Sequence, residues 1–356
     1  MSFIFRAQRS RPSVFVNGCR LTILLTLALI SAQHTIAATM VGAAYEPFNY
    51  ASGTQIIATN NLNGGIGWNA TGDVSAANAA DANWGNAAAR PAPSGAATNP
   101  GKTIGSPTLT YSATGYPGGA GGKAVIDATL GGTGNSTTNV SRLMGGQLVD
   151  SGTFYFSYLT DKNIDTARTT TLTFFGPPVG TTPPGSQQER LAIGQIGTGT
   201  AGNATTNGNF GLLVNNVNPA NVVNAANPIP YGVGVTHLIL GRIDWNPAGN
   251  ENITIWVDPT NVTTEAAAGA PYLTTSNFEL VSFDSIRLFS GNNAAAVDGM
   301  PAKPAVSADY DEIRIGDSWA DVTTIVPEPA TLLLTIVSLV GLRGLRRSRY
   351  AQAENS

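Results

Sequence analysis

Between about residues 39 and 325, apolar side chains recur at every second position in short runs. Stretches rich in Gly, Pro, Asn and Thr separate the runs. Alternation of this kind marks strands with one buried face. It predicts strands over 44–50, 108–111, 122–128, 153–160, 170–175, 189–196, 210–215, 236–245, 252–258, 280–289 and 310–316. Within 153–160, Phe154, Phe156 and Tyr158 share one face. Within 252–258, Ile253, Ile255 and Val257 point one way while Thr254 and Trp256 point the other. No stretch of the body sustains a helical period, and the Ala-rich run 76–89 carries Asn, Gly and Asp, which favour loop.

The segments between strands, at 90–100, 176–186, 197–209 and 291–306, hold too many Gly, Pro and Asn residues to pack a core. Strands bound each of them, so they are expected to be surface loops rather than linkers. About eleven strands with no internal repeat predict an all-β fold, a two-sheet antiparallel sandwich. An up-and-down barrel is the structural alternative.

The two ends break the pattern. Arg6, Arg9, Arg11 and Arg20 precede a ten-residue apolar run at 21–30 and then small residues, which is the layout of a signal peptide cleaved between Ala32 and Ala38. At the other end Val326, Pro327, Glu328 and Pro329 lead into an apolar stretch, 330–342, followed by Arg343, Arg346, Arg347 and Arg349. The prolines detach this stretch from the body. The arginines sit on its cytoplasmic flank by the positive-inside rule, and Arg343 lies close enough to the interface to snorkel. The expected organisation is a signal peptide (1–38), a sandwich domain (39–325), a sorting and anchor segment (326–349) and a polar tail (350–356).

Composition sharpens this picture. The single cysteine is Cys19, inside the segment expected to be removed, so the mature chain has no thiol for a disulfide or a metal. Charged residues make up 12% of the chain, about half the usual globular share. Of 19 basic and 22 acidic residues, eight arginines, Glu328 and Glu354 belong to the ends, which leaves a body with nine more acidic than basic groups. Such a body has no basic footprint for nucleic acid, and no nucleic-acid partner is expected.

The sequence Val326-Pro327-Glu328-Pro329, the apolar helix and the arginine cluster together resemble the PEP-CTERM sorting signal of exported Gram-negative bacterial proteins. The resemblance implies an exosortase-type processing enzyme as partner, a membrane helix held in the inner membrane before processing, and a destination in the cell envelope or at the extracellular surface. A second, more diffuse resemblance spans nearly the whole body. Phe48-Asn49-Tyr50, Gly64-Gly65-Ile66-Gly67-Trp68, Arg190-Leu191-Ala192-Ile193-Gly194, 238–244, Trp256-Val257-Asp258-Pro259 and Asp311-Glu312-Ile313-Arg314-Ile315-Gly316 look like pieces of concanavalin A-like (laminin-G-like) jelly rolls. These pieces are strand signatures, so the resemblance implies a jelly-roll fold and carries over no catalytic residue.

A search for reactive groups yields little. His237 is the only histidine of the mature chain, and with no cysteine it cannot build the ordinary zinc sites. No Gly-x-Ser-x-Gly elbow accompanies it, so it is expected to be a satisfied structural histidine. Glycosidases of the resembled architecture carry Glu-x-Asp-x-x-Glu on one strand face, with carboxyls about 5 Å apart in the retaining mechanism. That string is absent. Its nearest approach, Asp309-Tyr310-Asp311-Glu312, is expected to put Asp309 and Asp311 on one face and Glu312 on the other, as a solvated strand end paired with Arg314. Loops bearing Asp and Asn offer oxygen ligands for a structural Ca²⁺, but no EF-hand spacing occurs, and no metal site or cofactor is expected. Trp68, Trp84, Trp245, Trp256 and Trp319 are candidates for the core or for a sugar platform. The expected function is therefore a non-catalytic exported protein, structural or adhesive in the envelope or its exopolysaccharide. A carbohydrate-binding module is the alternative, with polysaccharide as the partner, and a divergent glycoside hydrolase or lyase is disfavoured by the missing carboxylate pair.

Overall fold

The computed structural model describes most of residues 43–324. The segments 69–83, 85–100, 131–136, 145–151, 177–187, 198–205, 215–220 and 292–305, with several shorter ones, fall outside the described residues. The expected signal peptide 1–38, the motif Val326–Pro329, the apolar stretch 330–342 and the arginines at 343, 346, 347 and 349 also lie outside them. The chain divides into two compact units after Val41, and every described residue belongs to the second. Among the described residues no helix is long and apolar enough to cross a membrane.

Fourteen strands alternate along the described chain. They are β1 (Ala44–Glu46), β2 (Lys102–Gly105), β3 (Lys123–Asp127), β4 (Thr137–Leu143), β5 (Thr153–Lys162), β6 (Thr169–Gly176), β7 (Gln188–Gln195), β8 (Gly211–Val214), β9 (Val222–Asn224), β10 (His237–Asp244), β11 (Glu251–Val257), β12 (Leu273–Phe278), β13 (Ser285–Gly291) and β14 (Ser307–Gly316), followed by a short helix α1 (Trp319–Thr323). Eight form one antiparallel sheet in the order β12-β11-β10-β5-β14-β3-β2, with β1 also paired to β14. The other six form a second antiparallel sheet, β4-β13-β6-β7-β8-β9. The all-β, two-sheet antiparallel expectation holds.

Alternation decides which residues fill the space between the sheets. Phe154, Phe156 and Tyr158 of β5 and Ile253, Ile255 and Val257 of β11 meet Leu172 and Phe174 of β6, Leu191 and Ile193 of β7, and Ile286 and Leu288 of β13 in one buried cluster. Trp256, on the opposite face of β11, joins a second cluster with Leu159, Leu238 and Leu240, capped by Leu109, Tyr116, Val262 and Val322. The run 108–111, expected as a strand, is therefore part of a cover laid on the outside of the eight-stranded sheet. Four strands, β2, β4, β9 and β12, were not expected. In β4 the inward positions include Thr138 and Arg142 beside Val140, which breaks the apolar alternation.

The acidic run on β14 departs from expectation as well. A bulge between Asp311 and Arg314 shifts the register against β5. Tyr310, Ile313 and Ile315 face the core, so parity is lost and Glu312 joins Asp311 and Arg314 on the outer side. Glu312 takes a left-handed φ of 51° at this bulge. The run is not solvated: Asp309, Asp311, Glu312 and Arg314 are all buried. The run does pair with Arg314, through Glu312 at 2.6 Å.

Candidate functional site

The outer face of the six-stranded sheet is built from the positions that alternate with its core residues. Register places Ser141 of β4, Arg287 of β13 and Thr173 of β6 in one row, and Asn139, Phe289 and Thr171 in the next. The side chains are mostly hydroxyl or amide bearing, and Asn139, Ser141, Thr171 and Thr173 are buried. Arg287 and Glu189 each keep 11% of their side-chain surface. Towards β7–β9 the face turns apolar, with Ala192, Ile196, Leu213 and Val222 packed together.

Arg287 is held on both sides. Its guanidinium carbon lies 4.6 Å from the ring centre of Phe175 and 4.5 Å from that of Phe289. Its Nη2 donates to Glu189 Oε1 at 3.0 Å. Burial lowers the Arg287 pKa from its ordinary value, and the Glu189 carboxylate opposes that shift. Two polar atoms of this row lack a hydrogen-bond partner: Arg287 Nε and Ser141 Oγ, which belong to residues directly opposite each other across β13 and β4. A buried unpaired polar atom costs about 1–3 kcal/mol, so such atoms concentrate where water or a ligand completes them. Chemically, the row sets hydroxyls and a guanidinium between two aromatic rings, Phe175 and Phe289, all of them largely buried.

The residues singled out from the sequence fall elsewhere. His237 sits at the start of β10 with Nδ1 2.7 Å from Asp258 Oδ2, and the rings of Phe210 and Tyr231 stand near it. Its Nε2 is buried without a partner, so it is only half satisfied. Asp258 itself takes a left-handed φ of 55°. Asp311 accepts from Thr108 Oγ1 at 2.5 Å and from the Leu109 amide at 2.9 Å, which ties the covering segment to the sheet. Burial raises its pKa to about 8. Trp68, Trp84, Trp245 and Trp256 are buried, whereas Trp319 is half-buried. Among the described residues no group of three His, Cys, Asp or Glu side chains could hold a metal ion. Sequence reasoning missed Arg287, although Ile286-Arg287-Leu288 carried a signal: a charge between two core residues must face outward with its period-two neighbour Phe289.

No family model matches the chain, and no curated protein matches it either. Solved structures do. An endo-β-1,4-glucuronan lyase from the fungus Trichoderma reesei matches at 15% identity and a TM-score of 0.39, over 60% of this chain and 89% of that one. The alginate lyase Aly36B matches at 11% identity and a TM-score of 0.42, over 78% of this chain and 97% of that one. The carbohydrate recognition domain of Emp46p matches at 11% identity and a TM-score of 0.34, over 55% of this chain and 82% of that one. At such identities and scores no activity passes from any of them to this chain. A set that includes polysaccharide lyases nevertheless overturns the expectation of a non-catalytic structural or adhesive protein, and that reading is not retained.

Proposed function

We propose that the sandwich is a jelly roll directed at polysaccharide, with the outer face of the six-stranded sheet as its saccharide-engaging surface. The observation that carries this reading is the pair of orphaned polar atoms, Arg287 Nε and Ser141 Oγ, on directly paired residues of a hydroxyl-bearing row beside Phe175 and Phe289. Sugar hydroxyls both donate and accept, so they match both the Arg287 Nε donor and the Ser141 hydroxyl. Aromatic side chains supply the apolar walls that saccharide ring faces require. The acidic balance of the body disfavours a polyanion, so an uncharged saccharide is the ligand class.

The test is isothermal titration of the full-length protein with neutral glucan oligomers and, separately, with oligouronates. The products are assayed for new reducing ends and for unsaturated ends. Neutral oligomers should bind, and Arg287→Ala and Ser141→Ala should each weaken that binding on the order of tenfold. Equal binding by both variants would overturn the site, and preference for oligouronates would overturn the ligand class. Release of new ends would make the protein an enzyme, whereas binding without release would make it a binding module.

For the termini we propose the route read from the sequence: export, anchoring through 330–342 and exosortase-type processing near Pro327–Pro329. The order of breaker motif, apolar run and arginines supports it. Intact-mass measurement on protein recovered from the envelope should show loss of both apolar ends, and a species retaining both would refute the route.

A further inference from the structure

The opposite side of the sandwich carries a different surface. On the outer face of the eight-stranded sheet, the half nearest Leu159, Leu238, Leu240 and Trp256 is roofed by Leu109, Tyr116, Val262 and Val322. The other half is a polar row. Register lines up Thr274 of β12, Thr254 of β11, Arg242 of β10 and Tyr155 of β5, and a second row sets Asn252 beside Asp244 and Asp244 beside Thr153. At strand spacing the first row spans about 14 Å, the length of two to three linked pyranoses.

These side chains hold one another still. Arg242 Nε donates to Asp244 Oδ1 at 2.9 Å and its Nη1 to Glu265 Oε1 at 2.7 Å. Tyr155 Oη donates to Glu265 Oε2 at 3.0 Å, and Thr153 Oγ1 to Asp244 Oδ1 at 3.0 Å. Yet the group is open to solvent: 34% of the Arg242 side chain and 29% each of Asp244 and Glu265 are exposed. Trp319 stands at the boundary with the roofed half, edge-on to Tyr155 at 6.1 Å and to Trp256 at 5.3 Å. The capping box of α1, with Ser318 Oγ donating to Asp321 Oδ2 at 2.6 Å, and the bond from Trp319 Nε1 to the Val262 carbonyl at 2.9 Å fix its orientation. Exposed long side chains ordinarily lose conformational freedom on binding; here the network has already removed it.

We propose that Tyr155 and Trp319, with Arg242, Asp244 and Glu265, form a second saccharide site that takes an uncharged pyranose chain. The aromatic pair meets the ring faces. Asp244 Oδ2 and Arg242 Nη2, which the internal bonds leave unused, meet the hydroxyls. Two carboxylates around one guanidinium give the surface a net negative charge, which selects against uronates. This site goes beyond the Arg287 reading and does not depend on it, because the two groups lie on opposite sheets.

The experiment is titration of the full-length protein and its variants with cellohexaose, read by calorimetry and by chemical-shift perturbation. Trp319→Ala should weaken one class of sites on the order of tenfold, and Asp244→Asn should weaken the same class severalfold. Arg287→Ala should leave that class unchanged. If Trp319→Ala fails to fold, Asp244→Asn decides, since it keeps shape while removing the charge and one acceptor oxygen. Wild-type affinity in Asp244→Asn together with Trp319→Ala, or absence of any cellohexaose binding that survives Arg287→Ala, would overturn the proposal. Loss of binding in Arg287→Ala alone would count against this second site and leave the first standing.

Discussion

The ring of Phe156 lies across the backbone of Gly241, its directly paired neighbour on β10, in the space a β-carbon at Gly241 would need. Phe156 then reaches Phe174 at 5.1 Å, within the inter-sheet group that also holds Phe154 and Phe283. The absent side chain on β10 is thus what lets a large one on β5 lie flat in the core. Gly241→Ala should destabilise the fold by about 1–3 kcal/mol through overpacking. Phe156→Ala, by leaving a cavity, should cost about 3–5 kcal/mol. Chemical denaturation of each variant checks the order, and a neutral Gly241→Ala would show that the ring relocates at no cost.

Glu46 and Arg142 form a buried ion pair between the sheets, one from β1 and one from β4. Glu46 also accepts from Trp84 Nε1 at 3.0 Å and from the Phe48 amide at 2.8 Å, and Arg142 lies 4.6 Å from the ring centre of Trp68. Arg142→Met should cost about 3–5 kcal/mol because it strands the carboxylate. Combining it with Glu46→Gln should recover part of that loss by removing the stranded charge. Recovery stays incomplete because the Phe48 amide and Trp84 Nε1 bond different carboxylate oxygens, and the single amide oxygen can accept from only one of them. A double-mutant cycle by thermal melting measures the coupling, and additive effects would mean the two charges act independently.

The strands that the sequence made legible are those whose inward side chains are uniformly apolar. Both β5 and β11 are of this kind, and their two faces fall as the alternation requires. The strands it concealed have polar residues pointing inward. Arg142 on β4 reads as a solvent position until its partner Glu46, far away in the chain, is known. The face of Glu312 was misjudged for a related reason: a bulge inserts one residue without changing composition, and everything after it swaps sides. The saccharide surfaces were the least legible. Tyr155 on β5, Arg242 and Asp244 on β10, and Glu265 beyond β11 come from three separate segments, brought together by strand register and by the bonds that Glu265 accepts. Trp319 was among five tryptophans, and nothing local distinguishes the half-buried one from the four that fill the interior.

Asp311 gives the fold an unusual pH dependence. Its pKa is raised to about 8, chiefly by burial, against an ordinary value near 4. Between those two values the folded state keeps a proton that the unfolded chain has released. The contribution to stability is therefore fully present below pH about 4 and is lost as pH rises towards 8, with a slope of at most about 1.4 kcal/mol per pH unit. The Thr108 hydroxyl can serve either state, since it lies 2.5 Å from Asp311 Oδ2 and 3.3 Å from the Leu109 carbonyl. Asp311→Asn should flatten this part of the profile. It should also cost about 1–3 kcal/mol, because the Leu109 and Glu312 amides donate to different oxygens of Asp311 and an asparagine has only one oxygen to accept them. A stability profile that rises between pH 4 and 8 in the wild type, and does so identically in the variant, would remove Asp311 from the account.

Replacing Arg287 by lysine separates charge from geometry. The guanidinium is planar, and it fills the gap between Phe175 and Phe289 while donating to Glu189. An ammonium is more strongly hydrated and cannot stack, and a lysine loses its charge more readily on burial. Arg287→Lys should therefore lower stability by about 1–3 kcal/mol and should not restore the saccharide binding lost in Arg287→Ala. Calorimetric titration of the two variants side by side is the check. If lysine supports binding at wild-type strength, a positive charge alone is what the face supplies. The orphaned Nε beside Ser141 would then have no part in recognition, because lysine has no group at that position.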